Sequence, residues 1–154
     1  MKKRLFAILM VLVLCFVGLI IGENQVQAQD LVEDVEFSAL ITEDALIGYL
    51  NMQTRGVYLA EGYSVITDAG AGKIGCGGIT NAAKRCKVSV NVIVEKKVSG
   101  SWTRVTSWSA TNTNALTVSI SKTLSVGSGY YYRVRSIHTA ASDGSSSYTE
   151  GMWM

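Results

Sequence analysis

Proline is missing from all 154 residues, and histidine occurs once, at His138. Without proline, every reversal of the chain falls to glycine and to clusters of Asn, Asp and Ser. A single histidine excludes a multi-histidine metal centre. Any catalytic histidine would have to be His138, with an acid or further ligands gathered around it. Phenylalanine is scarce, with three in the chain, so a core must lean on β-branched residues, tryptophan and tyrosine. No long helical periodicity separates the apolar segments after residue 60. The formal net charge is only +2, well short of the broad basic field that nucleic acid selects.

What is present begins with an export signal. Lys2, Lys3 and Arg4 precede an apolar run from Leu5 to Ile21, broken only by Cys15 and Gly18, and Val26-Gln27-Ala28 follows. This pattern predicts a signal peptide over residues 1–28 with cleavage after Ala28. The rival is an uncleaved anchor, for which the run sits at the short end of what spans a bilayer. A lipoprotein signal is excluded because the bulky Leu14 precedes Cys15. The expected location is extracellular, free or held at the cell surface, with no membrane span after cleavage. Cleavage removes Lys2, Lys3, Arg4 and Glu23, so the 14 basic and 12 acidic residues of the full chain become 11 and 11. The remaining charge is uneven: residues 29–55 are acidic with only Arg55 opposing, and residues 63–154 are basic. Residues 29–60 therefore read as an acidic leader, either solvated or folded back onto a basic face. Leu31, Val35, Leu46, Tyr49 and Leu50 hint at a short amphipathic helix within it. Two cysteines survive cleavage, and an even pair in an exported chain predicts a Cys76–Cys86 disulfide across a turn at Asn81–Arg85.

From residue 61 onward the period is two. Val88, Val90, Val92 and Val94 share one face of a strand, with Ser89, Asn91, Ile93 and Glu95 on the other. Leu116–Ser121 alternates too, and Tyr130, Tyr132 and Val134 oppose Tyr131, Arg133 and Arg135. Turn signals at Ser99-Gly100, Thr111–Asn114, Gly127–Gly129 and Ser142–Ser145 separate the runs. The expectation is one domain over 61–154 with strands near 62–68, 72–80, 86–97, 102–110, 115–124, 130–140 and 147–153. That is an all-β, antiparallel, seven-stranded sandwich of the immunoglobulin or fibronectin type III kind.

Several stretches invite chemistry. Gly70–Gly75 spells G-x-G-x-x-G, but no helix follows to hold a pyrophosphate, and the Walker pattern lacks its first glycine and its Ser/Thr. No cofactor and no metal site is expected, and the glycines read as a turn leading into a strand where backbone comes close to something. His138 is either a general base or a structural histidine. Asp68, Glu95, Asp143 and Glu150 are either a carboxylate pair for hydrolysis or supports for turns and solubility. Trp102 and Trp108, six apart, are expected on one strand face with Arg104. Tyr131, Arg133 and Arg135 are left pointing outward, where a mixed aromatic and basic stripe would stack on glycan or anchor a protein partner.

Two resemblances carry further. Leu124 through Ser136, with Tyr130, Tyr132 and Val134, is similar to the last third of fibronectin type III domains. That likeness would make Tyr130 the corner tyrosine, its hydroxyl tied to nearby backbone. More broadly, Gly62-Tyr63-Ser64, Gly72-Lys73-Ile74, Lys87–Val90, Gly100-Ser101-Trp102, Ser121–Val126, Gly129–His138 and Gly151–Met154 resemble a family of small secreted proteins of clostridial Gram-positive bacteria with no established function. The resemblance implies export and an all-β domain, and supplies no catalytic residue. The reading that joins these observations is a secreted, non-enzymatic binding module for a glycan, cell-wall polymer or protein. Tyr131, Arg133, Arg135, Trp102 and Arg104 are its candidate binding residues. A toxin-like protein and a His138 hydrolase are its rivals.

Overall fold

The computed structural model describes residues 32–50 and 56–154; the expected signal peptide lies outside the described residues. Among the described residues, eight antiparallel strands make the fold: β1 (Val32–Asp34), β2 (Leu46–Tyr49), β3 (Leu59–Gly70), β4 (Lys73–Val98), β5 (Ser101–Ser125), β6 (Tyr131–Ala140), β7 (Asp143–Tyr148) and β8 (Met152–Trp153). A 3-10 turn, Phe37–Leu40, lies between β1 and β2.

Two strands are far longer than the sequence pattern implied. The expected strands at 72–80 and 86–97 are one strand, β4, and those at 102–110 and 115–124 are one strand, β5. At Asn81–Val88 the β4–β5 register shifts, and Asn114 on β5 takes a positive φ of 51°. These irregularities bend the paired strands rather than ending them, as bulges do. The result is sandwich-like. In layer one, the first half of β4 pairs with β3 and with the second half of β5, and β2 and β1 close its two edges. In layer two, the second half of β4 lies between the first half of β5 and β6, and β7 and β8 extend β6. The β4–β5 hairpin closes through Ser99 and Gly100, both at positive φ, the pairing that matches strand twist in a two-residue turn.

The long strand removes the predicted disulfide. Cys76 and Cys86 lie ten residues apart on β4 and are both free. Ten extended residues span on the order of 30 Å, against a bridgeable Cα separation of about 7 Å or less. Asn81–Arg85 is bulged strand, so nothing folds the thiols together. Cys76 is fully buried, and loss of hydration pushes its thiol pKa well above the ordinary range.

The inner faces follow the alternation. Val88, Val90, Val92, Val94 and Val134 are fully buried and meet Ile66, Ile74, Cys76 and Leu124 of layer one. The corner role expected of Tyr130 belongs to Tyr132, which is buried and donates its hydroxyl to the Gly127 carbonyl at 2.9 Å. Tyr130 is 39% exposed, under the Lys96 ammonium. The two tryptophans do not share a face. Val94 opposes Thr106 but Glu95 opposes Arg104, so Val105 is an extra residue and the alternation inverts there. Trp102 turns outward, whereas Trp108 packs toward the core.

The acidic segment folds back. β1 and β2 lie within it as strands of the sheet, and Leu46–Tyr49 is strand where a helix was hinted. Asp34 pairs with Lys122, and Glu33 with Lys73 at 3.6 Å. The stronger hold is steric. A Cβ on Gly75 would lie 2.5 Å from Leu40 Cδ2, and one on Gly77 would lie 2.9 Å from Leu40 Cδ1 and 3.0 Å from the Phe37 ring. The bare glycines thus form the hollow that receives Leu40, which is buried. Truncating a buried leucine costs about 2–5 kcal/mol, while surface ion pairs contribute about 1 kcal/mol or less. Leu40→Ala should therefore lower the urea-unfolding free energy by about 2–4 kcal/mol, and Asp34→Asn by less than about 1. Equal losses, or the reverse order, would contradict the steric account.

Candidate functional site

His138 and the outer face of layer two are the two places where the sequence offered chemistry. His138 sits on β6 opposite Val90 of β4 and Ser145 of β7, with no solvent exposure. Its Nδ1 is 2.8 Å from Thr80 Oγ1 and its Nε2 2.8 Å from Ser147 Oγ. Thr80 Oγ1 also bonds to the Ser89 carbonyl at 3.0 Å. Both ring nitrogens are therefore held by hydroxyl groups, whichever of them carries the proton. Beyond Ser147 the chain of hydroxyls continues to Ser64 at 2.7 Å and from Ser64 to Ser136 at 2.8 Å, all buried. Gly62 makes room for the ring: a Cβ there would lie 2.7 Å from it. A histidine closed off in this way joins the two layers and has no face to offer a substrate.

Burial disfavours the charged imidazole and lowers the His138 pKa from 6.5 to about 4, a hydrogen bond to the Ile79 backbone opposing the shift. Above pH 6.5 both folded and unfolded chains hold it neutral. Between 6.5 and about 4 the unfolded chain takes up a proton that the folded chain refuses, so stability falls as the pH falls. The loss approaches roughly 3 kcal/mol for a shift of this size. Urea unfolding from pH 7.5 to 4 should show this slope in the native chain and a shallower one in His138→Leu. Identical slopes would refute the assignment.

The outer face of layer two is built differently. Outward along β4 run Ser89, Asn91, Ile93, Glu95 and Lys97; β6 contributes Tyr131, Arg133, Arg135, Ile137 and Thr139. Register sets Arg133 opposite Glu95 and Tyr148 opposite Arg135. Arg133 Nε donates to Glu95 Oε2 at 2.7 Å, and Arg135 Nε stands 3.4 Å from Oε1. One carboxylate, only 7% exposed, thus fixes both arginines. The Arg133 guanidinium lies 4.4 Å from the centre of the Trp102 ring and 5.6 Å from that of Tyr148, a stacked geometry suited to the planar cation. Lys97 Nζ also approaches the Trp102 ring, at 5.7 Å from its centre. Beside them Tyr131 and Trp153 meet edge to face at 4.9 Å. Tyr131, Tyr148 and Trp153 are all exposed.

Of the residues singled out in the sequence, Trp102, Tyr131, Arg133 and Arg135 come together here. Arg104 lies at the margin, opposite Glu95, with its guanidinium bonded to Ser107 across the Val105 bulge. Sequence reasoning missed Glu95, Tyr148 and Trp153. The alternation put Glu95 on the outer face, but the partner strand and its register were needed to set it under Arg133. Two of the other acids support turns and ends: Asp68 accepts from Gly70 N at 2.8 Å, and Asp143 accepts from the backbone of Tyr58 and Leu59 at 2.6 and 3.1 Å. Among the described residues no group of three His, Cys, Asp or Glu gathers as a metal site, and no helix is long and apolar enough to cross a membrane.

Fold and face together define a small two-layer β protein with one aromatic and arginine-bearing sheet surface. The chain belongs to the family of unknown function DUF6147, whose profile matches residues 28–152. No curated protein matches it. Among solved structures it is similar to the solution structure of R. palustris CsgH, at 17% sequence identity and a TM-score of 0.40, over 56% of this chain and 87% of that one.

Proposed function

We propose that this is a secreted, non-enzymatic binding module, exported by its residues 1–28, and that the outer face of layer two takes an acidic glycan. The observation that carries the reading is the Glu95-clamped pair Arg133 and Arg135 set among exposed aromatic rings. Lys97, Arg104, Arg133 and Arg135 face one carboxylate, leaving a local excess of positive charge that suits carboxylate or sulfate groups. Tyr131, Tyr148 and Trp153 offer apolar faces to the C–H face of a sugar ring, which an open-chain polyol phosphate lacks. Because Glu95 and the stacked rings hold the arginines in place, little side-chain entropy is left to lose on binding.

The test is calorimetry with residues 29–154 and a galacturonate hexamer, a neutral chitin hexamer and a polyglycerol phosphate as ligands. The acidic hexamer should bind most tightly and weaken as salt rises. Arg135→Ala should cost about tenfold in affinity or more, with Trp153→Ala also weakening binding. Equal affinity for the neutral hexamer, or no loss in either variant, contradicts the proposal.

A further inference from the structure

Farther along the same outer face the surface changes character. Past Ile93, which is buried beside Arg135, the sheet sinks into a depression of about 310 Å³ lined by Ser89, Asn91, Ser109, Thr111, Ile137 and Thr139. Four hydroxyls and one amide line it beside the side chain of Ile137, and the buried Val90 completes the lining. Asn91 holds the centre, on β4 between Ser109 of β5 and Ile137 of β6. Its Oδ1 is buried and has no hydrogen-bond partner, a condition shared among the described residues only by Trp108 Nε1, whose ring packs toward the core. An unpaired buried acceptor weakens a fold, and a leucine of similar size would relieve it. The terminal torsion of asparagine is soft, and a turn about it exchanges the buried Oδ1 with Nδ2, so the amide can present an acceptor to a hydroxyl resting in the groove.

We infer that this depression is a second subsite, specific for the hydroxyl groups of a sugar. It belongs to the same glycan whose acidic residue lies on Arg133 and Arg135, so the inference rests on the acidic-glycan reading. Asn91 accepts from a sugar hydroxyl, and Ser109, Thr111 and Thr139 each donate or accept at the rim. Asn91 opposes Ile137, two residues beyond Arg135 on β6, or roughly 7 Å along the strand. The subsites are therefore adjacent, and one oligosaccharide covers both while a single sugar covers only the arginine end.

The inference is tested with Asn91→Leu, and with Thr139→Val as a rim variant should the first fail to fold. Galacturonic acid and galacturonate hexamer serve as ligands, with thermal unfolding measured alongside. The expected result is a hexamer affinity roughly three- to tenfold weaker, an unchanged affinity for the single sugar, and an unfolding midpoint equal to or above that of the native chain. A hexamer affinity unchanged in both variants overturns the subsite, and if Arg135→Ala still weakens binding, the acidic-glycan reading stands without it. A native chain that binds neither ligand overturns both.

Discussion

Lys73–Val98 is paired along most of its length on both sides, first by β3 and the far half of β5, then by β6 and the near half of β5. Its passage from one layer to the other is the constraint on which the rest of the structure depends. Because one strand is shared between the layers, each half of the sandwich takes its register from the other. Val88 to Val94 then face Ile66, Ile74 and Cys76 across the core, while Glu95 and Asn91 are carried to the outside of the same strand. Core and candidate site are two faces of one segment.

Where the layers meet, the filling is partly polar. Ser64, Thr80, Ser136, His138 and Ser147 bond to one another in a region with no solvent exposure. Gly62 and Gly78 supply the space, since a Cβ on the first would strike the imidazole and on the second would lie 2.6 Å from Ser136 Oγ. Such a network holds one relative placement of the layers, because any slip leaves buried hydroxyls unpaired. The glycine-rich stretch Gly70–Gly78 gains its meaning here. Gly75 and Gly77 accept Leu40 and Phe37 on one side, and Gly78 accepts Ser136 on the other.

Much of this was legible, and the failures share a cause. Period-two patterning placed the valines inside and Tyr131, Arg133 and Arg135 outside, since side-chain alternation is local. The glycines could be read as a strand closely approached by something, but not by Leu40, whose contact spans 35 residues of sequence. Asn81–Arg85 and Thr111–Asn114 carry turn residues yet serve as bends within long strands. That single difference undid the cysteine pairing and merged four expected strands into two. The extra residue at Val105 inverted the alternation between Trp102 and Trp108. Glu95 stayed hidden because cross-strand register is a property of the whole fold.

The candidate face owes its form to a carboxylate that is nearly buried and to two arginines anchored on it, Arg133 also lying against the Trp102 and Tyr148 rings. Guanidinium groups held between a carboxylate and aromatic rings present their remaining N–H donors in a fixed plane, which favours ligands carrying anionic groups at a set spacing. The most direct test of this account is a two-dimensional NMR titration of labelled residues 29–154 with galacturonate hexamer. It predicts shifts confined to the Trp102 and Trp153 indoles, the Arg133 and Arg135 side chains and the Asn91 amide, with His138 silent. Shifts clustered instead on the layer-one surface around Phe37 and Tyr63, or none at saturating ligand, would contradict it.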